Sequence, residues 1–257
     1  MNAFRENLSK GKPLIGTLIT LGLPAVSEMV SHCGFDWLWI DMEHSPLNLD
    51  QVQQLIQAKS DEVAAMVRVP VNDETWIKRV LDLGADGIVV PQVTSPDEAE
   101  QAVASAKYPP RGKRSVGLAR ASLFGMEFAK HVAEANEQSL VFLQIEHVEG
   151  VRNINSILKV KGIDAIIIGP YDLSGSFGKL GDIQNSQVQD SIQKVQKACE
   201  QHQIPIGIFA LQPEQGKSYL SQGFQLLALG VDVHYLWSSA KANLESIRPE
   251  ALAVAWK

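Results

Sequence analysis

The segment FDWLWIDME, residues 35–43, shows the pattern that decides the fold class, because it is a nearly unbroken apolar run that ends in acids. Parallel strands that are buried on both faces have this pattern. Seven further runs, most of them as apolar, follow along the chain with longer amphipathic stretches between them. Together they give eight predicted strands, at 14–20, 35–43, 64–70, 87–93, 139–146, 165–172, 204–211 and 225–232.

The stretches between these runs carry helix signals. A polar cap, a proline and acids mark a helix start at 94–98, and similar starts occur at 73–74 and 212–214. From about Val233, apolar residues recur at helical spacing. Eight strands, each followed by a helix, predict an α/β fold of the (β/α)8 TIM barrel type, as one domain over residues 1–257.

A doubly wound sheet is the alternative to the barrel. It would have about five to seven strands and a glycine-rich first turn, whereas this chain contains no GxGxxG or GxxxxGK[ST] motif. No internal repeat is apparent in the sequence.

The composition limits the class of protein. A content of 45% hydrophobic and 20% charged residues excludes intrinsic disorder. The net charge of −6 argues against nucleic acid as a partner. No run reaches the ~18 apolar residues that span a bilayer, and the N-terminus is polar, so we expect a cytoplasmic protein with no membrane partner. Cys33 and Cys199 are predicted to be buried inside helices in a reducing compartment.

Polar residues follow several of the predicted strands, at the end of the barrel where such enzymes carry their chemistry. His44 is a candidate general base, with Asp41 close enough to orient its ring. The alternative is a histidine that caps a helix. Arg68 is either a fixed cation beside an enolate or carboxylate, or the structural partner of an acid.

Glu146 and Asp172 end successive predicted strands, which are neighbours in a barrel. Two such carboxylates repel each other, and a hard divalent ion such as Mg²⁺ or Mn²⁺ relieves the repulsion. A salt bridge at the rim is the alternative. No lysine ends a strand, so a Schiff-base aldolase has no support. The motifs of triad hydrolases and zinc sites are also missing.

The residues at these strand ends resemble those of the HpcH/HpaI aldolase family. The resemblance runs from about Gly11 to the last strand. It rests on IDMEHSP (40–46), MVRVP (66–70), VVPQVTSPDEAEQAV (89–103), YPPRGKRSVG (108–117), QIE (144–146) and GPYDLSGSFG (169–178).

This resemblance implies a metal-dependent pyruvate aldolase, a carbon–carbon lyase acting on 4-hydroxy-2-oxo acids. The substrates would be pyruvate or another 2-oxo acid and an aldehyde, and the cofactor Mg²⁺, Mn²⁺ or Co²⁺. The family resemblance also implies a homo-oligomer, a hexamer built as a trimer of dimers, in which the last helix of the barrel is exchanged between subunits.

The resemblance also implies roles for individual residues. Glu146 and Asp172 match the metal ligands, and Arg68 matches the arginine that contacts the oxygens of pyruvate. His44 and Asp41 match the pair assigned to acid–base work.

Further substrate contacts are implied as well. Gln144 would lie beside the metal, and the backbone around Tyr171 and Asp172 would hold the carboxylate of pyruvate. Asp82 matches an aspartate near the active site of a neighbouring subunit. The heptanedioate aldolases of the family have alanine where this chain has Tyr171, and the loop around 115–122 is shorter here. Both differences concern the aldehyde.

The basic loop at 111–120 has two interpretations. Its cations would either meet an acidic or phosphorylated aldehyde or form a subunit contact or solvated face. They are Arg111, Lys113, Arg114 and Arg120.

Two other functions compete with the aldolase. One is a lyase of CoA thioesters of the citrate-lyase type, or a condensing enzyme of the same superfamily. The other is a non-catalytic protein that binds 2-oxo acids.

Overall fold

The computed structural model describes residues 3–247 as a closed barrel of parallel strands with helices between them. The predicted domain limits, residues 1 and 257, lie outside this range. Each strand pairs with the next in the sequence, and the last pairs with the first. The strands are β1 (Leu14–Ile19), β2 (Trp37–Asp41), β3 (Ala64–Arg68), β4 (Gly87–Val90), β5 (Leu140–Ile145), β6 (Ala165–Ile168), β7 (Ile206–Ala210) and β8 (Leu226–Val231).

The helices surround the barrel, apart from the first, which lies at its amino end. The α-helices of the described range are α1 (Ala3–Ser9), α2 (Pro24–Ser31), α3 (Leu49–Ala58), α4 (Glu74–Asp82), α5 (Pro96–Ala106), α6 (Phe128–Gln138), α7 (Val148–Ile157), α8 (Pro170–Ser176), α9 (Ser186–His202), α10 (Pro213–Ser221) and α11 (Asp232–Ile247). A 3₁₀ segment at Arg120–Gly125 precedes α6.

The predicted barrel is therefore confirmed, and the predicted helix starts are confirmed with it. Ser95 caps α5 through a reciprocal pair of hydrogen bonds with Glu98, and Asp73 caps α4. The predicted strands, however, run too far at their carboxyl ends. The prediction for the sixth strand, 165–172, was wrong beyond Ile168, because Pro170 starts α8 and carries Asp172 into its first turn.

The barrel interior forms an apolar core separate from the one beneath the helices. The sequence analysis missed α1, whose buried Phe4 and Leu8 pack into that interior core. Phe4 lies against Trp37, with 6.4 Å between the ring centroids. Trp37 fits because Gly16 faces it: a Cβ at Gly16 would lie 2.5 Å from the indole ring. One end of the barrel is thus filled by aromatic and aliphatic side chains.

A short repeat precedes three of the even-numbered strands, and its aspartates bind the preceding strand. Asp36, Asp86 and Asp164 each follow a glycine by two residues. The three glycines have positive φ angles, between 87° and 98°, which favour glycine. Each aspartate accepts a backbone N–H, from Ile15 (2.7 Å), Ala65 (2.8 Å) and Val141 (2.8 Å) respectively. A motif of three residues before every second strand is too short to count as an internal repeat, and the sequence analysis did not single it out.

The two cysteines differ in their surroundings. Cys199 is buried in α9, as predicted, and burial raises the pKa of its thiol to about 12. The prediction for Cys33 was wrong, because α2 ends at Ser31 and Cys33 is exposed in the turn that follows. Within residues 3–247, no helix combines the length and the apolar character needed to cross a bilayer.

Candidate active site

A small cavity of about 140 Å³ opens at the carboxyl end of the barrel. The predicted residues His44, Arg68, Gln144, Tyr171 and Asp172 all contribute to its wall. Gly169, Pro170 and the apolar side chains of Leu18, Trp39 and Phe209 complete it. A larger cavity, of about 760 Å³, opens beside Arg5 and Asp164 at the amino end, where the sequence predicts no catalytic group. Because five predicted residues line the smaller cavity, we take it as the candidate site.

Arg68, the last residue of β3, contacts two of the acidic groups at this end of the barrel. Its Nε and Nη2 donate to the two oxygens of Asp41, at 2.8 and 2.7 Å, because β2 and β3 pair in a register that places these residues side by side. Its Nη1 lies 3.0 Å from Glu43 Oε2. Burial works against the charge of Arg68, but Asp41 and Glu43 outweigh it and raise the pKa of the guanidinium. The cation is therefore fixed in place.

Asp41 does not orient the ring of His44, contrary to our expectation from the sequence. Its carboxylate is held by Arg68, and Oδ1 also accepts the backbone N–H groups of Glu43 (3.0 Å) and His44 (3.4 Å). The ring of His44 is largely exposed and places Nε2 3.6 Å from Glu43 Oε2. The reason is geometric: Asp41 points into the barrel towards Arg68, and His44 lies three residues further along a turn.

Glu43 is a site residue that the sequence analysis did not single out. Its carboxylate is mostly buried, and its Oε2 has no well-aligned hydrogen bond among the described residues. Burial raises the pKa of Glu43 while Arg68 and His44 lower it, and the raising effect prevails. The signal in the sequence was a second acid two residues beyond Asp41, inside the same strand end.

Glu146 directly follows β5 and is buried. Its Oε1 accepts the backbone N–H of Gln92 at 2.9 Å, and its Oε2 accepts from the amide of Gln144. Gln92 has a φ of 56°, in the left-handed region that favours glycine, and this turn aims its N–H at Glu146. Gly169 leaves space for the carboxylate of Glu146, since a Cβ at residue 169 would lie 2.5 Å from Glu146 Oε2.

The charge on Glu146 is costly in this position. Burial is the main cause that raises the pKa of its carboxyl group to about 7, and the nearby charges of Glu43 and Asp172 add to it. The N–H of Gln92 and the charge of Arg68 oppose the shift without cancelling it. Gln144 bridges the groups, because its Oε1 accepts from Arg68 Nη1 at 3.4 Å. Negative charge at this rim thus exceeds what Arg68 neutralises.

This donor set fits a hard divalent cation. Glu146 and Asp172 supply carboxylate oxygens, the donors that Mg²⁺ and Mn²⁺ favour. No group of three or more His, Cys, Asp or Glu side chains within residues 3–247 is placed to hold a metal ion. A bound cation would therefore take its remaining ligands from water or substrate, as Mg²⁺ usually does.

Asp82 and the basic loop do not line the small cavity. Asp82, at the end of α4, forms a 2.6 Å ion pair with the buried side chain of Arg114, which also lies over the ring of Tyr108. The other loop cations bind within the chain as well, Arg111 to Glu137, Lys113 to Glu74 and Arg120 to the carbonyl of Leu83. These contacts favour a structural role for the loop.

Known proteins share this fold and much of this sequence. The family model described as HpcH/HpaI aldolase/citrate lyase matches residues 16–239. A hydroxypyruvate/pyruvate aldolase of Roseobacter denitrificans is 35% identical over 100% of this chain and 98% of its own. A 5-keto-4-deoxy-D-glucarate aldolase of Shigella dysenteriae is 37% identical over 96% and 97%. A crystal structure of a HpcH/HpaI family protein from Burkholderia cenocepacia superposes with a TM-score of 0.93 at 33% identity, covering 96% of this chain and 100% of the other.

Proposed function

The chain belongs to the HpcH/HpaI aldolase/citrate lyase family and is a carbon–carbon lyase of the aldolase type, and from this premise we propose that it cleaves a 4-hydroxy-2-oxo acid reversibly to pyruvate and an aldehyde. The observation that carries this proposal is the cluster of Glu43, Glu146 and Asp172 around the fixed cation of Arg68. Such a cluster suits a site that takes up a divalent cation and, beside it and Arg68, a small oxygen-rich substrate.

Glu146 and Asp172 would hold the divalent cation, Mg²⁺, Mn²⁺ or Co²⁺. When bound, that cation supplies Lewis-acid polarisation of the 2-oxo acid. Burial, and after it the negative charge of Glu43 and Asp172, raises the pKa of Glu146, and this supports the assignment because a cation beside the carboxylate would offset the cost of ionising it.

Arg68 stabilises the negative charge that develops on the substrate. In the cleavage direction the bond between C3 and C4 breaks, and its electron pair passes to the enolate of pyruvate. A cation that is already positioned needs no reorganisation as that charge forms. The two hydrogen bonds from Arg68 to Asp41 hold the guanidinium in its plane and support this role.

His44 transfers the proton. During cleavage it accepts the proton of the 4-hydroxyl group, and the enolate takes up a proton at C3 to become pyruvate. During addition pyruvate loses a methyl proton to form the enolate, and His44 returns its proton to the new hydroxyl oxygen. The ring lies at the cavity wall and is open to solvent, so proton exchange with water is direct. Glu43 Oε2 lies 3.6 Å from Nε2 and is placed to orient the ring, the task that the sequence suggested for Asp41.

Tyr171 limits the aldehyde side of the cavity. Its ring packs against Phe209 with 6.2 Å between centroids, and both rings line the cavity. The small volume supports a short aldehyde rather than a long-chain one.

A homo-oligomer is part of the same proposal. Two exposed apolar surfaces support it, one on α11 around Leu236 and Trp237 and one near the 3₁₀ segment around Phe124 and Met126. Together with the exchanged helix that the family resemblance implies, these surfaces favour the hexameric assembly. Sedimentation equilibrium measures it directly.

Deuterium exchange into pyruvate tests the reaction without knowledge of the aldehyde. The protein is incubated with pyruvate in D₂O with Mg²⁺, Mn²⁺ or Co²⁺, and the methyl signal is followed by NMR. We expect loss of the signal with metal, and none with a chelator or with Glu146→Gln. Glu149→Gln is the matched control, because Glu149 is an exposed acid on α7 whose change alters the net charge equally. It should exchange like the wild type.

Two outcomes would overturn the proposal. If no metal supports exchange and the protein instead cleaves citramalyl-CoA, it is a thioester lyase of the citrate-lyase type. If pyruvate binds without exchange and no aldol is cleaved, the protein is a binding protein.

A further inference from the structure

Gln92 has an unusual backbone conformation in the turn that follows β4. Its φ angle of 56° lies in the left-handed region, which residues other than glycine seldom adopt. Gln203 has the same φ angle, but it lies at the end of α9, where a left-handed residue is a common way to end a helix. Gln92 follows a strand instead, so its conformation requires another explanation.

The conformation of Gln92 lets two consecutive N–H groups donate towards β5. The N–H of Gln92 donates to Glu146 Oε1 at 2.9 Å, and the N–H of Val93 donates to the backbone carbonyl of Gln144 at 3.2 Å. In an extended strand successive N–H groups point to opposite sides, so these two would not share a neighbour. The left-handed turn therefore frees one N–H for the side chain of Glu146, while the other takes up the backbone carbonyl.

The turn is held from α7 as well as from β5. Asn153 on α7 donates from Nδ2 to the carbonyl of Thr94 at 2.9 Å. The carbonyl of Val93 packs closely against Gly150, where a Cβ would lie 2.7 Å from the carbonyl oxygen. A backbone conformation that costs free energy persists only when its surroundings fix it, and such conformations are concentrated at functional sites. The contacts from both elements fix this one, and its N–H leads to Glu146.

The carboxylate of Glu146 keeps room for a cation beside its donors. Its Oε1 accepts from Gln92 and its Oε2 from the amide of Gln144, so each oxygen has one donor among the described residues. An ionised carboxylate has about four lone-pair sites, so sites remain on both oxygens. Carboxylates that bind metal ions are usually held by such hydrogen bonds, and losing one typically weakens metal binding about 10- to 100-fold.

We infer that the left-handed turn at Gln92 positions Glu146 for the divalent cation, through the backbone N–H of Gln92 and not through its side chain. The inference rests on the proposed function, which places the cation at Glu146 and Asp172. The side chain of Gln92 is exposed, and its backbone is the part that bonds Glu146. Gln92 is thus a positioning residue whose side chain is replaceable, whereas its N–H and its conformation are not.

Removal of a single N–H group tests this directly. Nonsense suppression places Nε-Boc-lysine at position 92 in one protein and its α-hydroxy acid analogue in another, so the two full-length proteins differ only by an ester oxygen in place of the N–H. Mn²⁺ binding is measured at one fixed pH from the EPR signal of the free ion. We expect the ester to raise the Kd for Mn²⁺ about tenfold relative to its amide twin. Equal affinities would overturn the inference.

Gln203 provides the matched control, because it has the same φ angle and is also exposed. The same ester at position 203 removes an N–H that donates to carbonyls at the end of α9, so it should lower stability to urea and leave the Mn²⁺ affinity unchanged. An equal loss of Mn²⁺ affinity in both esters would reflect stability alone and would contradict a positioning role for Gln92.

Gln92→Gly separates the backbone from the side chain. Glycine keeps the N–H and adopts the left-handed conformation freely, so this variant should bind Mn²⁺ within about twofold of the wild type. A large loss of affinity would assign the effect to the side chain and refute the inference.

Deuterium exchange separates this inference from the proposed function. If the amide and ester twins bind Mn²⁺ equally and the wild type exchanges deuterium into pyruvate, the proposed function stands and only the role of Gln92 falls. If the wild type neither binds Mn²⁺ nor exchanges deuterium with any metal, both fall.

Discussion

Acidic side chains lie at both ends of this barrel, but they have different surroundings. At the amino end, Asp36, Asp86 and Asp164 each accept a backbone N–H of the preceding strand. At the carboxyl end, burial raises the pKa values of Glu43 and Glu146, and the nearby charge of Asp172 adds to the effect on both. The first set binds backbone N–H groups of neighbouring strands, and the second concentrates negative charge beside a cavity.

The direction of the strands explains this difference. Parallel strands begin with free N–H groups and end with free carbonyls, and only the N–H groups can donate to a carboxylate. Carboxylates at the carboxyl end must therefore accept hydrogen bonds from loop N–H groups or pair with cations. Asp232 does so, because its carboxylate accepts the N–H groups of Thr20 (2.9 Å) and Leu21 (2.8 Å) beside β1. Elsewhere on this rim, Arg68 forms ion pairs with Asp41 and Glu43. The donors available to Glu146 do not offset its burial, and its pKa stays raised.

The largest effect is expected at Arg68. Arg68→Ala should reduce the rate of deuterium exchange into pyruvate by about 100- to 1000-fold, comparable with the loss of an oxyanion donor. Arg68→Lys should recover part of the rate, because lysine keeps the charge but lacks the planar fork that binds Asp41. Full activity in Arg68→Ala would refute the role of the guanidinium in catalysis.

The next effect concerns the stability of the metal-free protein. The pKa of Glu146 is raised from 4.5 to about 7, so its contribution to stability is complete below pH 4.5 and is lost as the pH rises through 7. At about 1.4 kcal/mol per pKa unit, the loss is about 3 kcal/mol. Urea unfolding with EDTA at pH 5 and pH 8 measures it. The stability of Glu146→Gln relative to the wild type should increase over this range; a constant difference would contradict the prediction.

A smaller effect, on stability but not on activity, is expected at the amino end. Asp164→Ala leaves the N–H of Val141 and the guanidinium of Arg5 without their acceptor. The free energy of unfolding should fall by about 1–3 kcal/mol, whereas kcat should not change. Glu100→Ala removes an equal charge from an exposed position of α5 and should leave stability within about 0.5 kcal/mol of the wild type. A loss of activity in folded Asp164→Ala would contradict the division between the two ends.

The smallest effect is expected at Glu43. Glu43→Gln keeps the size of the side chain but removes the charge beside Arg68 and His44. We expect kcat/KM for aldol cleavage to fall about tenfold, or about 1.4 kcal/mol. The effect stays small because the hydrogen bonds to Asp41 still hold Arg68 in place. An unchanged rate would show that the charge of Glu43 has no part in the reaction.

Much of the fold was predictable because its signals are local. Apolar runs give the strands, and residues such as Ser95 and Asp73 start helices through hydrogen bonds within three residues. The ends of the strands were not predictable in this way, since apolar residues continue past the last ladder hydrogen bond. Nor was α1, because Phe4 and Leu8 gain their burial from a barrel interior formed by distant strands.

The sequence by itself determined which residues meet at the candidate site. His44, Arg68, Gln144 and Glu146 follow or end parallel strands, and the carboxyl ends of such strands necessarily share one rim. Tertiary structure decided how these residues are paired. It gave Asp41 to Arg68 rather than to His44, and it turned the N–H of Gln92 towards Glu146. The physical reason is distance: the identity of a strand end is fixed by neighbouring residues, but a hydrogen bond depends on ångström-scale placement of side chains that lie far apart in the chain.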